Sequence, residues 1–139
     1  MTGRIIQILG SILDIEFKKK KIPNIYNSLY IPEVNIYLEV QQQIGNNIVR
    51  TIAFGDTNGI KRNSLVIDTG KPVLTPVGDC TLGRILNVLG EPIDNKGDLK
   101  YLKKNPIHSF PPKFSDQIFK NNILETGIKV IDLLCPFLK

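Results

Sequence analysis

A mainly β chain is predicted: a small closed barrel over residues 2–71, followed at 72–139 by the opening of an α/β segment that is incomplete. Three observations carry this. Residues 3–70 break into five or six short apolar or alternating runs separated by turn residues, with no helical period among them, the pattern of a small closed barrel. After Gly70 the pattern changes to two short helix signals with no strong strand between them, too little for a full α/β layer. With 42% hydrophobic and 22% charged residues, the composition is that of a soluble globular protein, which excludes a disordered chain.

The first run, Arg4 to Phe17, is apolar with Gly10 at its middle, where a bulge or sharp bend is expected. Asn35 to Gln43 alternates. Ile36, Leu38 and Val40 share one face and Tyr37, Glu39 and Gln41 the other, the mark of a half-buried strand. Gly45-Asn46-Asn47 then joins it to Ile48–Gly55 as a hairpin, because Gly and Asn tolerate positive φ. A further turn is expected at Asp56–Gly59 and a further short strand at Ser64–Gly70. Beyond it, Pro72 and Pro76 bracket a short extended piece. Thr81 is placed to cap a helix over Leu82 to Leu89, with Gly90 as terminator and Pro92 beyond. Residues 95–122, polar and broken by Pro106, Pro111 and Pro112, read as a long surface crossing. Thr126 is placed to cap a second helix over Ile128 to Leu134, ended by Pro136.

Few residues suggest chemistry. Gly78 to Ile85 nearly matches a phosphate-binding loop, but Arg84 and Ile85 stand where Lys and Ser or Thr are needed, and Ile85 cannot reach a metal. Asp14 and Glu16 share a strand face and are expected to be solvated there. Asp132 is expected on a polar helix face or in a packing salt bridge. His108 is the single histidine, and Cys80 and Cys135 form no C-x-x-C pair, so no metal site is expected and the thiols are expected to be reduced, as in a cytosolic protein. The net charge of +5 gathers at Lys18–Lys21 and around Lys100, Lys103 and Lys104. Neither cluster clearly interleaves aromatics or Gly with its lysines, so solvated loops are expected and no nucleic-acid partner. No apolar run reaches the roughly 18–20 residues of a membrane span. The opening MTGRIIQILG shows neither a secretory signal nor a transit peptide.

Several stretches resemble one family, the β subunits of F-type ATP synthases. GRIIQILGSILDIEF is similar to their opening strand region, LEVQQQIGNNIVRTIAFG to their barrel hairpin, and VIDTGKPVLTPVG to the exit from the barrel. TLGRILNVLGEPID (Thr81–Asp94) and ETGIKVIDLLCPF (Glu125–Phe137) are the most specific. The α subunit, the V-type subunits and the flagellar export ATPase share these last two in looser form. LEVQQQ and the GEPID spelling favour β. The resemblance implies a six-stranded barrel followed by a nucleotide-binding α/β domain, here stopping before the phosphate loop. It implies ATP synthesis or hydrolysis coupled to proton flow in the intact subunit, with Mg-ATP or ADP bound there and not by this chain. It further implies α subunits alternating with β in a hexameric ring, contact with the central stalk through downstream parts, and a membrane reached only through the complex, at the cytoplasmic face of a bacterial inner membrane or the stromal face of a thylakoid. On this reading the chain itself carries no catalytic, cofactor-binding or metal-ligating residue and is inactive alone. Lys18–Lys21, Asn63 in place of a common Gly, and Lys113–Asn122 depart from the family pattern. The competing readings are a catalytic protein of another kind and a free-standing small-barrel module for an oligonucleotide or protein partner.

Overall fold

The computed structural model describes residues 1–18, 22–100, 103–116 and 122–138. Six antiparallel strands close into a barrel in the order β1-β2-β5-β4-β3-β6. They are β1 (Thr2–Leu9), β2 (Ile12–Phe17), β3 (Asn27–Ile31), β4 (Ile36–Gly45), β5 (Ile48–Ala53) and β6 (Leu65–Pro72). The expected apolar run with Gly10 at its middle is a hairpin. Gly10, at φ 61°, takes the left-handed turn that lets β1 fold back on β2. Asn46 and Asn47, both at positive φ, turn β4 into β5 as the sequence predicts. The Asp56–Gly59 turn also forms, its Asp56 carboxylate accepting from the Asn58 backbone N–H and side chain. Asn63 adopts φ 66°, which explains how a residue other than Gly is tolerated there, since Asn enters the left-handed region at modest cost. Strand β3 had no periodicity strong enough to single it out.

Side chains from all six strands fill the barrel. Its core cluster is Ile5, Leu13, Ile15, Phe17, Leu29, Ile31, Leu38, Val40, Val49, Ala53 and Val66, all from the six strands. Each large member contributes about 1.5–3 kcal/mol of apolar burial. The buried hydroxyl of Thr51 donates to the Leu13 carbonyl at 2.9 Å, so the core has no orphaned polar group there. Register shifts between Ile5 and Gln7 and between Val40 and Gln42 mark bulges on β1 and β4. Bulges sharpen the local twist that closure needs.

After the barrel the structure departs from expectation. Strand β7 (Leu74–Val77) pairs with β8 (Lys103–Pro106) in a two-stranded ribbon, so the surface crossing expected over 95–122 contains a strand. No helix forms over Leu82 to Leu89. A single 3-10 turn at Asp79–Thr81 is followed by a chain reversal in which Leu86 bridges Pro92. Two causes are visible. Gly83 lies at φ 68°, a left-handed residue that breaks a right-handed helix. The Asn87 side chain accepts from the backbone N–H groups of Leu89 and Glu91, offering the backbone a turn in place of a helix.

The chain divides into compact units Met1–Ser109 and Phe110–Lys139. In the second, β9 (Ile123–Leu124) pairs with β10 (Phe137–Leu138), and α1 (Lys129–Leu134) realises the expected helix one residue shorter at its start. Among the described residues Asp132 makes no salt bridge. Its carboxylate accepts from the Thr126 N–H and hydroxyl and from the Gly127 N–H, tying down the loop before α1 and holding the Asp132 carboxyl below the usual range. Two ribbons and one six-residue helix follow the barrel; no α/β layer forms among the described residues.

Candidate assembly surface

A closed barrel has no free strand edge, so side-by-side contact with another subunit must use outward side chains. Two apolar strips cross the outer wall. In the first, register places Leu9 opposite Ile12 and Ile12 opposite Ile52, and all three are exposed. In the second, Ile67 lies opposite Tyr30 and Tyr30 opposite Tyr37. The two tyrosine rings tilt together with centroids 4.9 Å apart, and the Tyr30 hydroxyl donates to Asn35 at 2.9 Å. Rigid aromatic and β-branched side chains of this kind suit protein contact, since they bury large areas at low entropic cost.

Beside the first strip runs a polar row, Gln7, Asp14, Arg50 and Gln42, with each neighbour directly opposite the next. The Arg50 guanidinium donates through both Nε and Nη2 to the two Asp14 oxygens at 2.9 Å. This raises the Arg50 pKa through the hydrogen bond to Asp14 and its charge. Asp14 is only 5% exposed, which corrects the solvated strand face expected for it, and Glu16 alone remains in solvent. The two carboxylates therefore do not form an acid/base pair.

Glu39 is the other buried outward acid, 4% exposed on β4. Its oxygens receive the Gln41 amide at 2.6 Å and lie 3.0 Å from His108 Nε2. The His108 ring stacks on Tyr26 with centroids 4.0 Å apart. Tyr26 sits at φ 69°, an unusual conformation for a bulky residue and one that costs on the order of 1–3 kcal/mol. Sequence reading missed this cluster. Glu39 and His108 are 69 positions apart, and the strand period marked Glu39 only as outward-facing.

The near match to a phosphate loop does not supply a phosphate cradle. Arg84 donates to Asp94 through Nε at 2.7 Å and Nη2 at 3.0 Å, and also to the Gly97 carbonyl. Its guanidinium is therefore committed. Asp94 accepts in addition from the N–H groups of Ile85 and Lys96, and these bonds, Arg84's foremost, hold its carboxyl far below the usual range. In this loop Arg84, so committed, and the apolar Ile85 do not fit a phosphate or Mg²⁺. Among the described residues no three His, Cys, Asp or Glu groups converge as metal ligands, Cys80 and Cys135 are free, and no helix is long and apolar enough to cross a membrane. Lys103 and Lys104 lie exposed on β8 and Lys18 is exposed at the end of β2; Lys19–Lys21 lie outside the described residues.

These features define a small, closed, six-stranded antiparallel barrel with apolar strips on its outer wall. Residues 5–70 match the beta-barrel domain of the ATP synthase alpha/beta family. The match reaches into all six strands, so the barrel fits the N-terminal part of an ATP synthase alpha/beta subunit. That family implies assembly into an alpha/beta oligomeric ring.

Proposed function

We propose that the chain is the N-terminal segment of the catalytic β subunit of a proton-translocating F-type ATP synthase, and that its barrel holds an alternating ring of α and β subunits together. The observation that carries this is the family match over a barrel that is closed and filled, so that its outward strips are what it can offer a neighbour. LEVQQQ (Leu38–Gln43) and GEPID (Gly90–Asp94) support β over α. Each stretch also has a structural use: the first carries the β4 bulge and Glu39, the second the reversal that ends on Asp94. On this reading Mg-ATP or ADP, the proton-coupled reaction and the central-stalk contact belong to the intact subunit. The complex would sit on the cytoplasmic face of a bacterial inner membrane or the stromal face of a thylakoid.

The test is co-expression with the α subunit from the same source, read by sedimentation. A complex is expected with the unaltered chain and its loss with Ile52→Lys, which places a charge in the first apolar strip while the barrel still folds. A barrel that stays alone beside α overturns the assembly role. Binding of a single-stranded oligonucleotide under the same conditions would support the free-standing module in its place.

A further inference from the structure

We infer that the cleft where β3, β6 and β7 meet the Leu86–Pro92 reversal binds a short zwitterionic peptide with apolar side chains. The cleft encloses about 510 Å³, and all its lining residues belong to the first unit. That volume is in the ordinary range of small-ligand sites. The site is complete within this chain, so it stands or falls apart from the assembly role.

Ser28 is the central observation. It sits on β3 next to the inward Leu29, faces away from the core, and yet is only 6% exposed. Among the described residues its hydroxyl meets no hydrogen-bond partner. No fully enclosed side-chain polar atom among the described residues lacks a partner. The Ser28 hydroxyl must therefore open on the cleft that the residue lines. A nearly buried hydroxyl without a partner is unfavourable, and a ligand carbonyl or N–H relieves it.

The rim carries both signs of charge. Lys71, near the end of β6, and Asp98 are exposed, and neither forms an ion pair among the described residues. Glu91 also lines the rim, with one oxygen taken by the Asn87 amide at 2.8 Å. Lys104 is there too and is already engaged. A simple anion would face the Asp98 and Glu91 carboxylates, and a simple cation would face the Lys71 ammonium. A zwitterion answers both. Its carboxylate pairs with Lys71 and its ammonium with Asp98. The half-buried Leu74 and Leu89 give the cleft an apolar wall for the ligand's side chains. The peptide group supplies the partner for the Ser28 hydroxyl, which a plain hydrocarbon body would leave unpaired.

The experiment is an NMR titration of the full chain with the dipeptide leucyl-leucine, read at backbone amides. Saturable shifts are expected at Ser28, Lys71 and Gly90, with a Kd at or below about 1 mM, and none at Ile15 in the barrel core. N-acetyl-leucyl-leucine amide has the same body without the charges and should bind at least about tenfold more weakly. Lys71→Met and Asp98→Asn should each weaken the zwitterion by about fivefold, and Ser28→Ala by about threefold. Lys71 and Asp98 are exposed, so those two variants keep the fold whatever Ser28→Ala does. Lys113→Met, which removes a cation outside the cleft, should change nothing. Shifts that do not saturate by about 10 mM, or a capped peptide bound within about twofold of the zwitterion, overturn the site. Binding unchanged in both Lys71→Met and Asp98→Asn would overturn it as well.

Discussion

Barrel closure depends on a short seam, and Gly3 stands in it. Strand β1 meets β6 over Thr2, Gly3 and Arg4, and Gly3 also faces Phe17 across β2. An alanine Cβ at this position would stand 2.8 Å from Ile15 Cγ2, 3.0 Å from the Glu16 carbonyl oxygen and 3.0 Å from Phe17 Cε1. Two effects of Gly3→Ala oppose each other. Ala narrows the unfolded ensemble, which stabilises by about 0.4–1 kcal/mol where the backbone allows it. Overpacking costs about 1–3 kcal/mol where neighbours cannot move. Here they cannot: Ile15 is 0% and Phe17 1% exposed, and one of the three contacts is backbone. Overpacking wins by about 1–2 kcal/mol. In a domain of this size each 1 kcal/mol is about 4–8 °C, so Tm by circular dichroism should fall by about 5–15 °C. Phe17→Leu in the Gly3→Ala background should recover part of the loss, because it removes one of the contacted atoms. A Tm unchanged or raised in Gly3→Ala would show that the seam has slack and would refute the reasoning.

Three further outcomes are expected. Gly90→Ala would drive its Cβ into the Pro76 ring at φ 77°, so exchange at the Asn87 and Ile93 amides, which donate across the Leu86–Pro92 reversal, should rise sharply while the barrel is unaffected. Asp94 is depressed, so its contribution is fully present above the pKa of an unfolded Asp, about 3.9, and is lost only as pH falls through the lower folded value; by carboxyl NMR it should remain ionised at about pH 3 and titrate in the ordinary range in Arg84→Met. Leu133 and Leu134 of α1 are 80% and 81% exposed, so the chain should self-associate in sedimentation, and Leu133→Lys with Leu134→Lys should reduce this; a monomeric wild-type chain would refute it.

How much was legible follows from which forces were at work. The barrel was legible where a residue pattern has one structural solution. Asn46-Asn47 had to turn, and Leu38 and Val40 had to face inward. Alternation misled at Glu39 and Asp14, which point outward yet are buried, because long-range partners His108 and Arg50 cover them. The helix expected at Leu82–Leu89 does not form for a local reason: Gly83 and Asn87, which favour turns, outweigh the capping pattern around Thr81 and Gly90. The shorter helix at Lys129–Leu134 formed because Asp132 ties its leading loop from within.

The chain is held together by two kinds of force in different places. The core cluster belongs wholly to the six barrel strands, so burial holds the barrel and its response should follow denaturant and temperature. Outside it, the turns are tied by side-chain hydrogen bonds: Arg84 to Asp94, Asn87 to Glu91, Thr126 to Asp132, with His108 against Glu39 just beyond β8. All four rest on a carboxylate acceptor. The core of the barrel draws on no side chain beyond β6.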